Sequence, residues 1–303
     1  MAKTLIGMVT YGNLTYSKLA YESIKNTTKS AFDFLIVDGK PTDTPTKKWV
    51  DKNNIRSIRH SENKGFPASL NDLYDYAFIN NNYEYLIIIG NDIIAYPYSI
   101  DSLIKQADLG YHWVTASELS IKKLLEYYPQ IKSNINTNKY IIKNLEKKPW
   151  ELFKGYSEEI LVGKFDIIDV HNMGLVSKKV FETIGYIDTN FYPAYFEDND
   201  YAFRGYLKGL SKYACKLKNA YYFHFWSRTI HEGSGGSDPQ YFEMNKNYYI
   251  GKWGGLPGKE TYSLPYNGNV YPLTSGLDLP SEINIQTRWL EPHIINYWRC
   301  RHG

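Results

Sequence analysis

Three acids, Glu197, Asp198 and Asp200, fall within four positions of the stretch PAYFEDNDYAFRGYLKG, and rings surround them at Tyr195, Phe196, Tyr201 and Phe203. Carboxylates crowded among rings repel one another and lose hydration, so they need positive charge nearby. Arg204 follows Asp200 by four residues, the favourable order for an ion pair on a helix, and the start of that helix is itself positive. A carboxylate held this way can act as a general base. Read alone, the segment is equally a helix-capping acidic patch.

Two further residues could do chemistry. Asp92 closes the apolar run of YEYLIIIGNDI. A carboxylate directly after a buried strand sits where a nucleotide diphosphate would lie; a divalent cation between the two anions removes their repulsion, and oxygen donors favour Mg2+ or Mn2+. Taken alone, Asp92 is a turn or cap residue. His224, in the aromatic strand AYYFHFWS, reads either as a hydrogen-bonded core residue or as a nitrogen ligand to that cation. His231 is a second candidate ligand. The EGSGGSD loop after it could cover a diphosphate, with Ser227 and Arg228 assisting.

These residues need elements to position them. TLIGMVTYG (4–12) is a short apolar run closed by glycine, a buried strand. Helical spacing follows in 17–26, then a second strand, FDFLIVDG (32–39), and a weaker third in SIRHSENKG (57–65). Pro67 opens a helix lined on one face by Leu70, Leu73, Tyr74, Ala77 and Phe78. YEYLIIIGNDI (83–93) is a strand buried on both faces. Strand–helix–strand repetition predicts an α/β fold with a parallel sheet, whose ligands bind beyond the carboxyl ends of the strands. Thr10, Tyr11, Asp38, Asn63, Gly65, Asn91 and Asp92 stand at those ends. Residues 118–165 read as a Lys-rich helical insertion, and 172–188 return to strand then helix, with Ser177 as N-cap and Gly185 beyond the end. Beyond Ser234 the chain turns rich in Gly, Pro and Tyr and reads as a loop-rich extension packed on the domain.

Composition narrows the class. A 303-residue chain with 43% hydrophobic residues can bury a sizeable core, and a net charge of +3 does not announce a nucleic-acid binder. Cys215 and Cys300 are too few for a disulfide framework or a Cys-based zinc site. No stretch approaches the ~20 apolar residues of a membrane span, and the N-terminal apolar run is too short for a signal peptide, so a cytoplasmic protein is expected.

The order of these motifs resembles the GT-A-fold glycosyltransferases, in particular the mostly inverting family 2, over about Leu5 to Ser227. VTYGN and LIVDG look like that family's first two strands. NKGFPASLN (63–71) is similar to the pattern that cradles the nucleoside and adds Asn71 to the contacts. IIIGNDI stands at the family's Asp-x-Asp signature, here Gly90-Asn91-Asp92, and the block ending in YFEDNDYAFR is similar to its acceptor side. The resemblance implies a GT-A catalytic domain over 1–233 (nucleotide-sugar half 1–117, acceptor half 166–233) and an extension over 234–303. It further implies Asp198 as the general base with Glu197 beside it, and a Mn2+ or Mg2+ ion at Asp92 and His224. A nucleotide sugar, a UDP-sugar first, would be the donor.

Glycan, lipid-linked sugar, protein and modified DNA remain open as acceptors. The tail TRWLEPHIINYWRCRHG (287–303) interleaves basic and aromatic residues and keeps hydroxymethylated viral DNA bases as a minority alternative, although packing back on the domain through Trp289, Ile294, Ile295 and Trp298 explains it better. A non-catalytic nucleotide-sugar-binding protein is a second alternative. Nucleotidyl transfer ranks low, because TYGNLTYSK lacks a Gly-rich, Arg/Lys-bearing triphosphate loop.

Overall fold

The computed structural model describes residues 3–119, 150, 162–164, 172–225 and 239–269. The Lys-rich insertion, Ser227, Arg228, His231, the EGSGGSD loop and the tail 287–303 lie outside the described residues. The described chain builds a nine-stranded sheet in the order β3-β2-β1-β4-β8-β6-β9-β5, with β7 paired to β9. The strands are β1 (Thr4–Thr10), β2 (Asp33–Asp38), β3 (Arg56–Arg59), β4 (Tyr85–Gly90), β5 (Ile93–Ala95), β6 (Trp113–Glu118), β7 (Val162–Lys164), β8 (Met173–Ser177) and β9 (Ala214–His224).

The first half is the expected parallel α/β unit. β3, β2, β1 and β4 run parallel, connected by α1 (Leu14–Thr27), α2 (Thr44–Lys52) and α3 (Gly65–Tyr74). Every residue of β1 is buried, since helices cover both faces of the sheet. α3 lies close on β1: a Cβ at Gly7 would stand 2.6 Å from Leu73, so only glycine admits this approach. α3 starts two residues before Pro67, at Gly65, because Asn63 Oδ1 accepts the Gly65 N–H (3.0 Å) and turns the chain into the helix.

The second half is mixed. β8 runs antiparallel to β4 and β6, and β9 runs parallel to β6 but antiparallel to β5 and β7. α4 (Ser99–Asp108) precedes β6, and α5 (Lys178–Ile184) and α6 (Glu197–Leu207) lie between β8 and β9. Ser177 and Gly185 (φ 73°) flank α5 as expected, although the Ser177 side chain makes no capping hydrogen bond.

Within the extension read as loop-rich, the described residues carry α7, a 15-residue helix over Pro239–Trp253. Its Asn and Tyr residues are mediocre helix formers, so local propensity gave no signal. Tertiary contacts hold it instead: Tyr248, Tyr249 and Trp253 form one buried aromatic cluster with Phe191, Phe203 and Tyr266. No described helix is long and apolar enough to cross a membrane.

Candidate active site

A cavity of about 490 Å³ opens beyond the carboxyl ends of β1 and β4 and reaches the start of α6. Thr10, Tyr11, Asn63, Gly65, Asn91, Asp92, Glu197, Asp198 and His224 all line it. Asp38 and Asn71 do not. Asp38 is buried, accepting from Arg59 (2.5 Å) and from the Lys40 N–H (3.0 Å), and so braces the loop after β2 from behind. Burial pushes its carboxyl up, against the opposing pull of the Lys40 N–H and Arg59. Asn71 clips α3 to Ile187, donating to its carbonyl (2.8 Å) and accepting its N–H (2.9 Å).

The nucleotide-side wall is built from backbone turns. Thr10 Oγ1 donates to the Gly12 carbonyl (2.9 Å). The Asn91 amide lies 3.2 Å from that carbonyl, from Thr10 Oγ1 and from Ser17 Oγ, tying the turn after β4 to the turn after β1. Gly65 has φ +82°, and an added Cβ would meet the Tyr192 ring at 2.8 Å and the Pro193 carbonyl at 3.1 Å. Glycine is required there for both reasons.

Asp92 and His224 meet because β5 and β9 pair antiparallel with Ile93 opposite His224. Asp92 Oδ1 lies 3.3 Å from His224 Nε2. His224 Nδ1 lies 3.2 Å from Asn172 Nδ2 and 3.9 Å from a Glu118 carboxylate oxygen. A carboxylate and an imidazole facing one another fit a hard divalent cation held by few side chains and completed by substrate phosphates. Ligation through Nε2 requires the proton on Nδ1; at 3.9 Å Glu118 offers that N–H a nearby negative charge rather than a hydrogen bond. Among the described residues no group of three His, Cys, Asp or Glu side chains is placed to hold a metal. The pair alone would therefore supply the protein's donors from within the described chain. Glu118 and Asn172 also line the cavity and were missed by sequence reasoning; the one available signal was polarity at the end of β6 and before β8.

The opposite wall carries the acids. Tyr195 (φ 85°) and Phe196 (φ 69°) both adopt left-handed backbone, a strained turn that leads into α6 and sets Glu197 and Asp198 on the cavity. Asp198 Oδ1 accepts the Asn199 N–H at 2.8 Å. Burial raises the Asp198 carboxyl's pKa, opposed by N–H donors at the helix start. Glu197 is 5% exposed, and among the described residues its Oε2 has no hydrogen-bond partner. Burial, then the neighbouring Asp198 charge, push its pKa well above the ordinary carboxylate range.

A carboxyl whose folded pKa is raised costs stability once the pH passes its unfolded value, and the cost is complete above the folded pKa. Glu197→Gln is therefore expected to raise the melting temperature at neutral pH, with the gain shrinking as the pH falls towards 4.5, the ordinary value for this group. Thermal melts of both proteins across that range check it; a variant less stable at every pH would mean that the carboxylate is stabilised in the fold.

Asp200 points the other way, into the protein. It is fully buried and pairs with Arg204 Nε (2.9 Å), as the spacing predicts. It also accepts from Lys252 Nζ (2.7 Å) and Trp253 Nε1 (2.8 Å), both on α7. Lys252, itself 0% exposed, reaches Asp188 at 2.9 Å as well. Burial would raise the pKa of Asp188, but Lys252 and the N–H of Asn190 hold it below the usual carboxylate range. The positive partner of the acid cluster is thus Arg204 joined by Lys252, which sequence reasoning did not identify.

Comparison with known proteins agrees with this architecture. A galactofuranosyl glycosyltransferase of Leishmania donovani is 23% identical over 258 residues, 78% of this chain and 56% of that protein. The structure of GalNAc-T7 with UDP, GalNAc and Mn2+ is similar with a TM-score of 0.56 at 11% identity, over 84% of this chain and 48% of that one. That of S. aureus TarS 1–349 in complex with UDP-GlcNAc gives 0.53 at 13%, over 82% and 65%. The chain thus spans less than two thirds of the length of each, and at these identities the structural likeness is one of fold. The sequence profile of Glycosyl transferase family 2 matches residues 5–185, well over half of the sequence, and the chain belongs to that family.

Proposed function

We propose that the protein transfers a sugar from a nucleotide sugar, a UDP-sugar first among them, to an acceptor hydroxyl with inversion and with the help of a divalent metal. One observation carries the reading: a single cavity is lined at one wall by Asp92 and His224 and at the other by Glu197 and Asp198. Thr10, Tyr11, Asn63, Gly65 and Asn91 receive the nucleotide, with Asp38 and Asn71 bracing the loops behind them. Asp92 and His224 hold Mn2+ or Mg2+, which when bound neutralises the charge developing on the leaving diphosphate. Asp198 takes the proton of the attacking hydroxyl, since a hydroxyl is a poor nucleophile until a base removes it. The raised pKa of Asp198 suits that task, because a stronger base takes a hydroxyl proton more readily. Glu197 orients the acceptor beside it. UDP-GlcNAc in the TarS structure and UDP with Mn2+ in that of GalNAc-T7 support the choice of donor and metal.

The test is turnover of a panel of nucleotide sugars with and without metal, with the anomeric configuration of the product read by NMR. EDTA is expected to abolish activity and Mn2+ or Mg2+ to restore it, and Asp92→Asn to weaken Mn2+ binding measured directly by calorimetry. Full activity in chelator would remove the metal from the mechanism; a product of retained configuration would remove the inverting base.

A further inference from the structure

The rim of the cavity beside Asp198 is aromatic, and two separate parts of the chain build it. Tyr192, Tyr195 and Phe196 come from the turn before α6, and Tyr241 and Phe242 from α7. Tyr195 and Phe242 meet edge to face at 5.3 Å, Phe196 lies 5.3 Å from the same Phe242 ring, and Tyr192 and Tyr241 meet at 6.0 Å. Tyr195, Phe196 and Phe242 line the cavity, yet Phe242 remains 40% exposed.

The rim is built to stay in place. Asn245, 0% exposed on α7, donates its amide to the carbonyls of Tyr192 (3.1 Å) and Ala194 (2.7 Å), fixing the turn that presents Tyr195. That turn holds two non-glycine residues at positive φ, a strain that persists only where surrounding structure enforces it. Hydrophobic burial alone does not explain an exposed ring on a strained, clamped support next to a buried acid.

We propose that this rim is the acceptor subsite and that it takes a sugar ring, so that the acceptor is a glycan. An aromatic face is electron-rich, and the C–H bonds of a sugar, polarised by their oxygens, present it with a positive edge. A ring stacked on the exposed Phe242, beside Tyr195, leaves its hydroxyls free for Glu197 and Asp198, which follow Tyr195 and Phe196 in the chain. A peptide acceptor would need main-chain partners that these rings do not offer. A DNA acceptor would need cations to meet its phosphates, and this rim supplies aromatic rings in that position.

The inference rests on the transferase reading above, and the experiment keeps the two apart. Methyl hexopyranosides, methyl pentofuranosides and a short oligosaccharide are offered to the protein with UDP present, and binding is read by saturation-transfer NMR; UDP binding is measured separately by calorimetry. Sugar C–H protons are expected to saturate, and Phe242→Ala to weaken that binding about ten-fold with UDP affinity unchanged. Phe242→Trp keeps a ring and is expected to retain binding. Sugar binding unaffected by Phe242→Ala, or transfer to a Ser/Thr peptide or hydroxymethylated DNA that the variant leaves intact, overturns the subsite while the donor site stands. Loss of UDP binding in the parent protein overturns the donor reading instead.

Discussion

Asp198→Asn is expected to abolish sugar transfer, lowering turnover on the order of 10²–10⁴-fold, while nucleotide-sugar binding stays nearly intact. The amide keeps the shape of the carboxylate and can keep its contact with the Asn199 N–H if its oxygen takes that place, but it cannot accept the acceptor's proton. Because Asp198 lies on the wall opposite Asp92 and His224, the change does not touch the groups assigned to the diphosphate. Glu197→Gln is expected to fall between this variant and the parent, since it removes an orienting carboxyl but leaves the base. Turnover and calorimetric binding, on proteins shown by thermal melts to be folded at the assay temperature, decide the matter. If Glu197→Gln loses transfer and Asp198→Asn keeps it, the base is Glu197; if both stay active, the acids are structural.

Lys252→Met is expected to destabilise the fold by about 3–5 kcal/mol, the usual cost of stranding a buried charge by removing its partner. Here one ammonium serves two carboxylates, Asp188 and Asp200, and Tyr248 and Trp253 complete their hydrogen bonding. Asp188, whose folded pKa is depressed, contributes stability above its unfolded value that is lost as the pH falls through the folded value. The deficit of the variant relative to the parent should therefore be largest near neutrality and narrow as acid neutralises the stranded Asp188 carboxylate. Denaturant titrations at several pH values test this, and a deficit that does not change with pH would mean that packing, not charge, is what Lys252 contributes. Asp200→Asn belongs to the same network. It should behave as a stability variant rather than as a loss of the base, and more severely than the exposed ion pair that its spacing with Arg204 suggests.

What was legible in the sequence followed from range. β1, β2 and β4 were legible because they are short apolar runs closed by Gly, Asp or Asn, each a local signal, while β3 (RSIR) gave only the weaker signal of a single apolar residue, Ile58. The Asn63–Gly65 turn was legible for the same reason. Asp38 was placed correctly at the end of β2 and Asn71 within the helix that Pro67 opens, but position does not give direction: one side chain turns to Arg59 and the other to the Ile187 backbone. The meeting of Asp92 with His224 depends on an antiparallel register between strands far apart in the chain, which periodicity cannot supply. Lys252 was the hardest. An isolated lysine in a Tyr- and Asn-rich segment carries no mark of burial, and only the fold reveals two carboxylates waiting for it.

The bond between Asp188 and Lys252 spans 64 residues of sequence, and that separation sets the order in which the chain can complete this network. A ribosome adds roughly 5–20 residues per second, so about 3–13 s pass between the emergence of the two partners. During that interval the sheet of β1 to β4 can already form, yet α6 has neither its cation from α7 nor the indole of Trp253. A chain cut before Lys252 would hold β1 to β4 without the cation and the indole that fix Asp200 at the start of α6. Under the proposed function, competence for transfer is expected only once this late helix is in place.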